Sequence, residues 1–320
     1  MSLIVATHNG KFHADESLAI AILKRLSDYK DAKVVRTRDA EVLKTAAVVV
    51  DVGGEYDTAT HRYDHHQPTF KDTFSPAHNT RLSSAGLVYK HFGLRLLQEH
   101  FNLPDLEAKV AYDRIYERFI EAFDGVDNGV ERFEKEVGEA RYCKMRDMAD
   151  IVNDFNPVDE KEDADVQFLK AVEFVGQQLD RYVQQLIAWW LPGRPLVLQA
   201  LSATSERYLV FPGPVAWKEH LFALEKENGT EGNVLYVIYP DTVSGTFRVQ
   251  AVPEKEGSFI CRKALPKEWR GLRDAELEQA SGVEGGIFVH VTGLSVGTRP
   301  FKVPSKWFKK LSSWSETISD

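Results

Sequence analysis

A short polar segment, residues 62–67, places Asp64 directly before the adjacent histidines His65 and His66. Imidazole and carboxylate groups together suit a borderline divalent cation such as Mn²⁺. A structural zinc site would normally add cysteines, and the nearest one in the chain is Cys143. The segment therefore predicts a catalytic metal site. For the histidine pair taken alone, the alternative interpretation is a polar loop whose imidazoles only form hydrogen bonds.

Further histidines and acids recur at the predicted ends of strands and helices, in four separate loops. The candidate residues, in chain order, are His8, His13, Asp15, Asp51, Asp64, His65, His66, Asp124 and Asp127. A pair of divalent ions about 3.5–4 Å apart needs several protein ligands and a carboxylate able to bridge them, so this inventory fits two ions better than one. Asp15 and Asp51 are the predicted shared carboxylates. Helix capping by Asp15 and a turn at Asp51 are the structural alternatives.

The elements that must position these residues follow from the apolar pattern. Apolar runs typical of strands cover residues 3–6, 32–36 and 46–50, and a helical pattern starts at Asp15. The third run is too continuously apolar for a sheet with one solvent-exposed face, so the pattern predicts a parallel α/β sheet. Ligands of such sheets bind beyond the carboxyl ends of the strands, where the candidate residues of this region fall.

The rest of the chain suggests two further parts. A charged segment over residues 157–163 is followed by a long amphipathic helical pattern that ends before Pro192. We therefore predict a metal-binding catalytic domain over residues 1–160, a connecting helix over 161–192 and a smaller C-terminal α/β domain over 193–320. Short strands are predicted in the last domain over residues 196–201, 208–211, 233–239, 246–252 and 287–291.

Composition narrows the functional classes. The chain has 320 residues, 43% hydrophobic and 28% charged, which is an ordinary globular balance. Its formal net charge of −8 argues against a protein that coats nucleic acid nonspecifically, so metal ions and a few placed cations must meet any polyanionic substrate. Two cysteines without a CxxC motif favour a reducing compartment, and the first residues contain no membrane anchor. We expect a cytoplasmic protein without membrane association.

Four motifs together resemble the DHH phosphoesterase superfamily. They cover residues 7–16, 49–53, 63–67 and 124–129. The similarity is closest to the melanocyte-proliferating-gene branch, long labelled metal-dependent protein hydrolases and of 3′-to-5′ exoribonuclease type. It continues through residues 248–253, 265–272 and 287–290, nearly end to end. The resemblance implies a DHH-type parallel sheet domain that carries the metal site, followed by a smaller α/β domain.

The resemblance also implies roles for the candidate residues. Two Mn²⁺ ions, or Mg²⁺ ions, would be held by His8, His13, Asp15, Asp51, His65 and one acid of the pair Asp124 and Asp127. His66 would face the phosphate, and Asp64 would orient the neighbouring imidazoles. The implied reaction is hydrolysis of RNA, or short DNA, from the 3′ end by a water activated between two metal ions.

The C-terminal domain is expected to close over the metal site and bind the phosphodiester. A closing domain must neutralise phosphate charge that the metal ions do not reach. The predicted contacts are Arg248, Lys263, His290 and Arg299. Solvated strand and loop positions are the alternative for Lys263 and Arg299. The expected partner is single-stranded RNA or another oligonucleotide, and the sequence is compatible with a homodimer without fixing the oligomeric state.

Two other functions remain open at this point. A pyrophosphatase or small-nucleotide phosphohydrolase would use the same ions with a narrower lid. A metal-binding interaction protein without turnover belongs to a different class, and the number of ligands with an open coordination position argues against it. Turnover of pyrophosphate, dinucleotides and labelled RNA would separate these hypotheses.

Overall fold

The computed structural model describes residues 3–131, 144–159 and 161–299. It is a mixed α/β structure with two five-stranded sheets. Contacts within the chain divide it into two compact units, Met1–Leu186 and Ile187–Asp320. Cys143 and residues 300–320 of the predicted C-terminal domain lie outside the described residues. Within the described ranges, no helix combines the length and the apolar character needed to cross a bilayer.

The first sheet has the strand order β2-β1-β3-β5-β4. Its elements are β1 (Ile4–Thr7), α1 (Ala14–Leu23), β2 (Lys33–Arg36), α2 (Ala40–Thr45), β3 (Val48–Val50), β4 (Tyr56–Asp57) and β5 (Arg62–Tyr63). β1 pairs in parallel with both β2 and β3, and β3 pairs in parallel with β5. The predicted parallel pairing of the first three strands is confirmed. The sheet as a whole is mixed, because β4 and β5 form an antiparallel hairpin.

α1 is the central helix of the first unit. All of its residues are buried, from Ala14 to Leu23. It packs against α3 (Ser84–Arg95) and α7 (Ala164–Gln185) and also contacts β3. Beyond its polar first turn, α1 is apolar on every side, and such a helix is stable only when other elements cover it completely. The N-terminus of α1, where the candidate ligands begin, is therefore held by the core.

A nearly continuous helical segment brings the last candidate acids back to the sheet. It comprises α4 (Asp105–Ile115), a π-helical turn (Tyr116–Ile120) and α5 (Glu121–Asp127). α5 contacts both α1 and α3. The helix ends at Asp127, and the chain turns at Gly129, whose φ of 65° is the left-handed conformation typical after a helix C-terminus. This stop leaves Asp127 at the helix end.

The predicted connecting helix belongs to the first unit. A short helix, α6 (Met148–Asn153), precedes it and contacts both α1 and α7. The side chain of Asp163 caps α7 by accepting hydrogen bonds from the backbone N–H groups of Asp165 and Val166. Because α7 packs against α1, the first compact unit extends to Leu186, beyond the charged segment that suggested a boundary at residue 160.

The second unit is a sheet with helices on both faces. It contains α8 (Gly193–Ser202), β6 (Tyr208–Val210), α9 (Trp217–Asn228), β7 (Tyr236–Asp241), β8 (Thr246–Ala251), α10 (Asp274–Ser281), β9 (Gly286–Val289) and β10 (Ser295–Thr298). The strand order is β6-β7-β8-β10-β9, and only the β6–β7 pair among these is parallel. Val237 packs into one core with α9, and Ile238 packs into the other with α10, as the alternation along a strand requires. The strand predicted over 196–201 is wrong, since these residues lie in α8.

Candidate metal centre

The first candidate ligands lie where β1 ends and α1 begins. His8 follows β1, while Asp15 and Glu16 occupy the first turn of α1. Glu16 Oε1 accepts a 2.8 Å hydrogen bond from the backbone N–H of His13 and lies 2.9 Å from Nε2 of His8. Carboxylates are favoured at a helix N-terminus because the free backbone N–H groups there carry partial positive charge. This turn therefore gathers two acids and two histidines.

Asp51 follows β3 with a φ of 59°, a conformation that non-glycine residues adopt rarely. β3 lies between β1 and β5 and pairs in parallel with both. Asp51 therefore lies between the residues that follow β1 and those that follow β5. Its Oδ2 lies 3.4 Å from Nε2 of His8, and its Oδ1 lies 3.3 Å from Nε2 of His65. Strained residues cluster at functional sites, and two carboxylate oxygens facing two loops suit a carboxylate shared by two metal ions.

His65 joins Asp51 to Asp127, since its Nε2 lies 3.2 Å from Oδ2 of Asp127. Side chains whose ligand atoms lie within 4.8 Å of one another form four overlapping groups: His8, His13 and Glu16; Asp51, His65 and His66; His13, Asp15 and Asp127; and Asp15, Glu16 and Asp51. Because the groups share members, one set of side chains can serve two adjacent divalent ions. The structure thus brings together all the predicted metal ligands except Asp124.

Asp124 has a structural position instead. Its Oδ1 accepts hydrogen bonds from the backbone N–H and the hydroxyl of Ser83, at 2.8 and 2.7 Å, and from the N–H of Gly86 at 3.0 Å. Its Oδ2 accepts a bond of 2.9 Å from the hydroxyl of Tyr116. Ser83 and Gly86 begin α3, whose first N–H groups have no partner within the helix. Asp124 therefore caps α3, and Asp127 is the acid that the structure places among the candidate ligands.

The environment of Asp124 predicts a pH dependence of stability. Burial raises the pKa of Asp124 to about 7, although its hydrogen bonds favour the ionised form. An aspartate in an unfolded chain has a pKa of about 3.9. Folding therefore favours the protonated form, and the resulting stabilisation is complete below about pH 4 and is lost as the pH rises through about 7.

The variant Asp124→Asn should lack this pH dependence, because its side chain has a similar shape and stays neutral. We expect the free energy of unfolding of the natural protein, relative to that of the variant, to fall between about pH 5 and about pH 8. Urea unfolding of both proteins at the two pH values measures this difference. A difference that stays constant would contradict the raised pKa.

Asp64 fixes the orientation of His66. Its Oδ1 accepts hydrogen bonds from Nδ1 of His66 at 2.6 Å and from the backbone N–H of the same residue at 3.1 Å. Its Oδ2 accepts a 2.6 Å bond from the N–H of Gly54. Asp64 is buried, whereas the side chain of His66 is 63% exposed. The carboxylate thus anchors one edge of the ring and leaves Nε2 available on the other.

Buried polar atoms test whether these residues fit a metal ion. Among the described residues, Asp15 Oδ1, Glu16 Oε2 and both ring nitrogens of His65 are buried without a hydrogen-bond partner. Buried polar atoms are normally paired, and buried carboxylates are normally balanced by a cation. A divalent cation would both pair with these polar atoms and balance the carboxylate charge. Mixed oxygen and imidazole ligands suit Mn²⁺ and related ions. The donor set therefore fits a metal centre.

The crowding of charged groups in the cluster also supports a metal centre. Burial and the neighbouring charge of Asp15 raise the pKa of Asp127 to about 8, and the same two causes raise the pKa of Glu16. Burial alone would lower the pKa of His8, but Asp51 and Glu16 raise it to about 9. The cluster therefore retains protons in the absence of a cation. Because metal ligands must be deprotonated, metal binding is expected to release these protons.

Glu16 was missed as a candidate ligand. Its position in the first turn of α1 could be explained by the preference for acidic residues at a helix N-terminus. The signal that could have identified it is its position at the start of an otherwise apolar helix, because a fully buried acid is rare unless it is paired. Ser84 was missed for a similar reason, because a serine at the start of a helix is explained by helix capping. Its hydroxyl donates a 2.7 Å hydrogen bond to Oδ2 of Asp15 and so orients that carboxylate.

Two cavities adjoin the ligands. A cleft of about 740 Å³ is lined by most of the candidate ligands and also by Lys11, Arg38 and Arg81. A second cavity of about 300 Å³ shares His13 and Asp127 with the cleft. Its remaining walls are mainly apolar and include Ala14, Ala122, Phe123, Val126, Met148 and Ala149. A group bound at the shared residues can therefore extend either into a cleft lined by charged side chains of both signs or against an apolar wall.

The residues predicted to bind substrate lie in the second unit. Arg248 is in β8, and its Nε donates a 2.9 Å hydrogen bond to Asp241. His290 follows β9 and Arg299 follows β10. These three residues belong to adjacent parts of one sheet, because the strand order places β10 between β8 and β9. Lys263 lies in the loop after β8. Their role in substrate binding remains a prediction.

Comparison with known proteins assigns the chain to a family. A model of the uncharacterised protein family UPF0160 matches residues 4–304. The human protein MYG1 exonuclease is 42% identical over 317 residues, covering 92% of this chain and 82% of its own length. The Schizosaccharomyces pombe MYG1 protein is 40% identical, with coverage of 93% and 94%, and the Caenorhabditis elegans MYG1 protein is 38% identical, with coverage of 93% and 91%. The chain therefore belongs to the MYG1 family (UPF0160).

Proposed function

We propose that this chain is a metal-dependent phosphodiester hydrolase that acts as a 3′-to-5′ exonuclease on single-stranded RNA or short DNA ends. The observation that carries the proposal is the cluster around Asp51, in which oxygen and imidazole ligands from separate loops converge. Mammalian relatives that bear the name MYG1 exonuclease support a nuclease activity. The motif resemblance described above supports a DHH-type architecture for the first unit.

The metal ligands in this proposal are His8, His13, Asp15, Glu16, Asp51, His65 and Asp127. When bound there, two Mn²⁺ or Mg²⁺ ions would lower the pKa of a bound water and stabilise negative charge on the phosphodiester. Asp51 would be a carboxylate shared by the two ions, because its two oxygens face ligands from different loops. Ser84 would keep Asp15 in position through its hydroxyl, as outer hydrogen bonds generally do for metal ligands.

His66 would act on the substrate directly. With Nδ1 held by Asp64, the ring can present Nε2 to a phosphate oxygen and hold a proton there. A donor fixed in advance stabilises developing charge without reorganising during the reaction. The exposed position of the His66 side chain, beside the buried ligands, gives a substrate access to this nitrogen.

The apolar cavity favours a nucleotide over pyrophosphate as substrate. A nucleobase or sugar can bury apolar surface against Phe123, Val126 and Met148 while its phosphate lies near His13 and Asp127. Pyrophosphate has no apolar surface, so this wall would contribute nothing to its binding. The rival pyrophosphatase function therefore leaves the cavity unexplained.

The activity can be tested with 5′-labelled RNA in linear and circular forms, and with pyrophosphate, each in the presence of Mn²⁺. We expect a ladder of products from the linear RNA, no cleavage of the circle and little phosphate release from pyrophosphate. His65→Ala should remove the activity and serves as the control for contaminating nucleases. Fast hydrolysis of pyrophosphate with both RNAs intact would support the pyrophosphatase instead. Cleavage of the circle would exclude a purely exonucleolytic mechanism.

A further inference from the structure

Three cations line the metal cleft of the first unit and have no role in the chemistry described above. Lys11 lies between β1 and α1, Arg38 lies between β2 and α2, and Arg81 precedes α3. All three are exposed, and all three line the cleft together with the candidate ligands. Three separate loops therefore bring positive charge to one rim, although the chain as a whole has a net charge of −8.

Arg38 lies close to one of the metal ligands. A methyl group on Gly10 would lie 3.7 Å from a terminal nitrogen of Arg38 and 3.4 Å from Nδ1 of His8. The guanidinium and the imidazole therefore flank the same glycine. This glycine leaves an opening between them that a larger residue would narrow.

Arg81 is held in place beside Asp127. Its Nε donates a 2.6 Å hydrogen bond to Oδ1 of Asn128, and Nδ2 of Asn128 donates a 2.8 Å bond back to the carbonyl of Arg81. Asn128 directly follows Asp127, so this reciprocal pair ties the guanidinium to the helix end that carries the ligand. A neutral amide positions the guanidinium of Arg81, so its positive charge is not balanced by this partner and can attract an anion.

The balance of charge explains why such cations would be needed. The formal charges of Asp15, Glu16, Asp51 and Asp127 equal those of two divalent ions in magnitude, and Asp64, which also lines the cleft, adds one further negative charge. Within the described residues, no carboxylate forms an ion pair with Lys11, Arg38 or Arg81. Three additional cations on the rim would repel the metal ions unless an anion also binds. One phosphodiester carries a single negative charge, so together with Asp64 it balances two of the three cations, and the remaining cation suits a second phosphate.

We propose that Lys11, Arg38 and Arg81 form a phosphate-binding rim that holds the phosphates adjoining the one being hydrolysed. The rim makes the enzyme prefer chains of several phosphates over substrates with one. This inference rests on the proposed function and deepens it, because it supplies strand binding from the first unit itself. The shared chemistry is a row of phosphates, which an oligonucleotide or an inorganic polyphosphate can provide.

The test compares Arg38→Gln with the natural protein on RNA substrates of two, four and eight nucleotides. A charged hydrogen bond to phosphate contributes enough that its loss should raise KM about tenfold on the longest substrate. The loss should be smaller on the dinucleotide, which has one phosphodiester. The slope of log KM against log salt concentration should decrease in magnitude by about 0.7 for each phosphate of a single strand that the variant no longer neutralises.

Arg181→Gln is the matched control, because Arg181 is an exposed arginine on α7 and does not line the cleft. It should leave KM and its salt dependence unchanged for every substrate. An equal loss for all three lengths in Arg38→Gln, with RNA cleavage by the natural protein intact, would overturn the rim and leave the exonuclease standing.

Inorganic polyphosphate separates the two sources of phosphate. If the natural protein cleaves RNA and the Arg38→Gln loss grows with RNA length, both the rim and the exonuclease are supported. If the natural protein hydrolyses polyphosphate and leaves RNA intact, with the same length-dependent loss in Arg38→Gln, the rim is supported and the exonuclease is excluded. If neither substrate shows a length-dependent loss, the rim is excluded.

Discussion

Asp51→Asn is expected to remove at least one of the two proposed Mn²⁺ ions and to lower turnover by about 10²–10³-fold. The carboxylate oxygens of Asp51 face His8 on one side and His65 on the other, so loss of the carboxylate should weaken both proposed ion positions. Metal ions contribute several kcal/mol to stabilising the transition state, and each 1.36 kcal/mol corresponds to a factor of ten in rate. Metal content after dialysis and single-turnover cleavage of labelled RNA measure the two effects.

Asparagine removes the carboxylate charge at position 51 without disturbing the backbone conformation there. Asp51 has a φ of 59°, and asparagine tolerates this conformation well. Asp51→Asn should therefore fold normally, and its defect can be assigned to the lost charge. Asp113→Asn is the control, because Asp113 is exposed on α4 and should retain metal and activity. Full metal content in Asp51→Asn would exclude a shared carboxylate at this position.

The elements of the first sheet could be predicted because their sequence signals are local. Continuous apolar runs identified β1 and β3, and parallel pairing then placed the residues that follow them at one edge. β4 and β5 are only two residues long each and offer no such pattern. Their hairpin makes the sheet mixed, and it depends on the left-handed conformation of His61, whose φ is 55°. Nothing in the residue type of His61 required that turn.

The error at residues 196–201 has a different cause. A short apolar run fits a buried strand or a buried helix equally well, and its period does not decide between them. The run nevertheless follows Pro195, which lies in the first turn of α8. Proline is favoured at the start of a helix, where a missing N–H removes no hydrogen bond. That signal, with leucine and alanine as good helix formers, indicated the helix.

The choice between Asp124 and Asp127 could not be made from sequence. Both acids lie at the end of one helix, and their spacing places them on similar faces. What distinguishes them is a set of donors about 40 residues earlier in the chain, at Ser83 and Gly86. Such long-range partners leave no local pattern. The same limit applies to Glu16, whose approach to His8 depends on how β1 meets α1.

Asp124→Ala and Asp127→Ala are therefore expected to fail in different ways. Loss of the Asp124 carboxylate leaves the buried donors of Ser83, Gly86 and Tyr116 without their acceptor. Each unsatisfied buried donor costs about 1–3 kcal/mol, and four donors lose their acceptor, so the free energy of unfolding should fall by at least about 4 kcal/mol. Asp127→Ala should instead lose Mn²⁺ and activity while the metal-free protein keeps its stability. Urea unfolding and metal content, measured on both variants, distinguish the two roles.

A substitution at Gly86, in the helix that Asp124 caps, tests the same contact. A Cβ atom at Gly86 would lie 2.2 Å from Oδ2 of Asp124, so Gly86→Ala must displace the carboxylate and should destabilise the protein as Asp124→Ala does. Gly125→Ala is the matched control, because a Cβ atom at Gly125 has nothing within 4 Å and the residue lies in α5. Alanine there should raise stability by about 0.5–1 kcal/mol. Equal unfolding midpoints for the two glycine variants would contradict the cap. Metal loss in Asp124→Ala without loss of stability would instead show that Asp124 is a metal ligand.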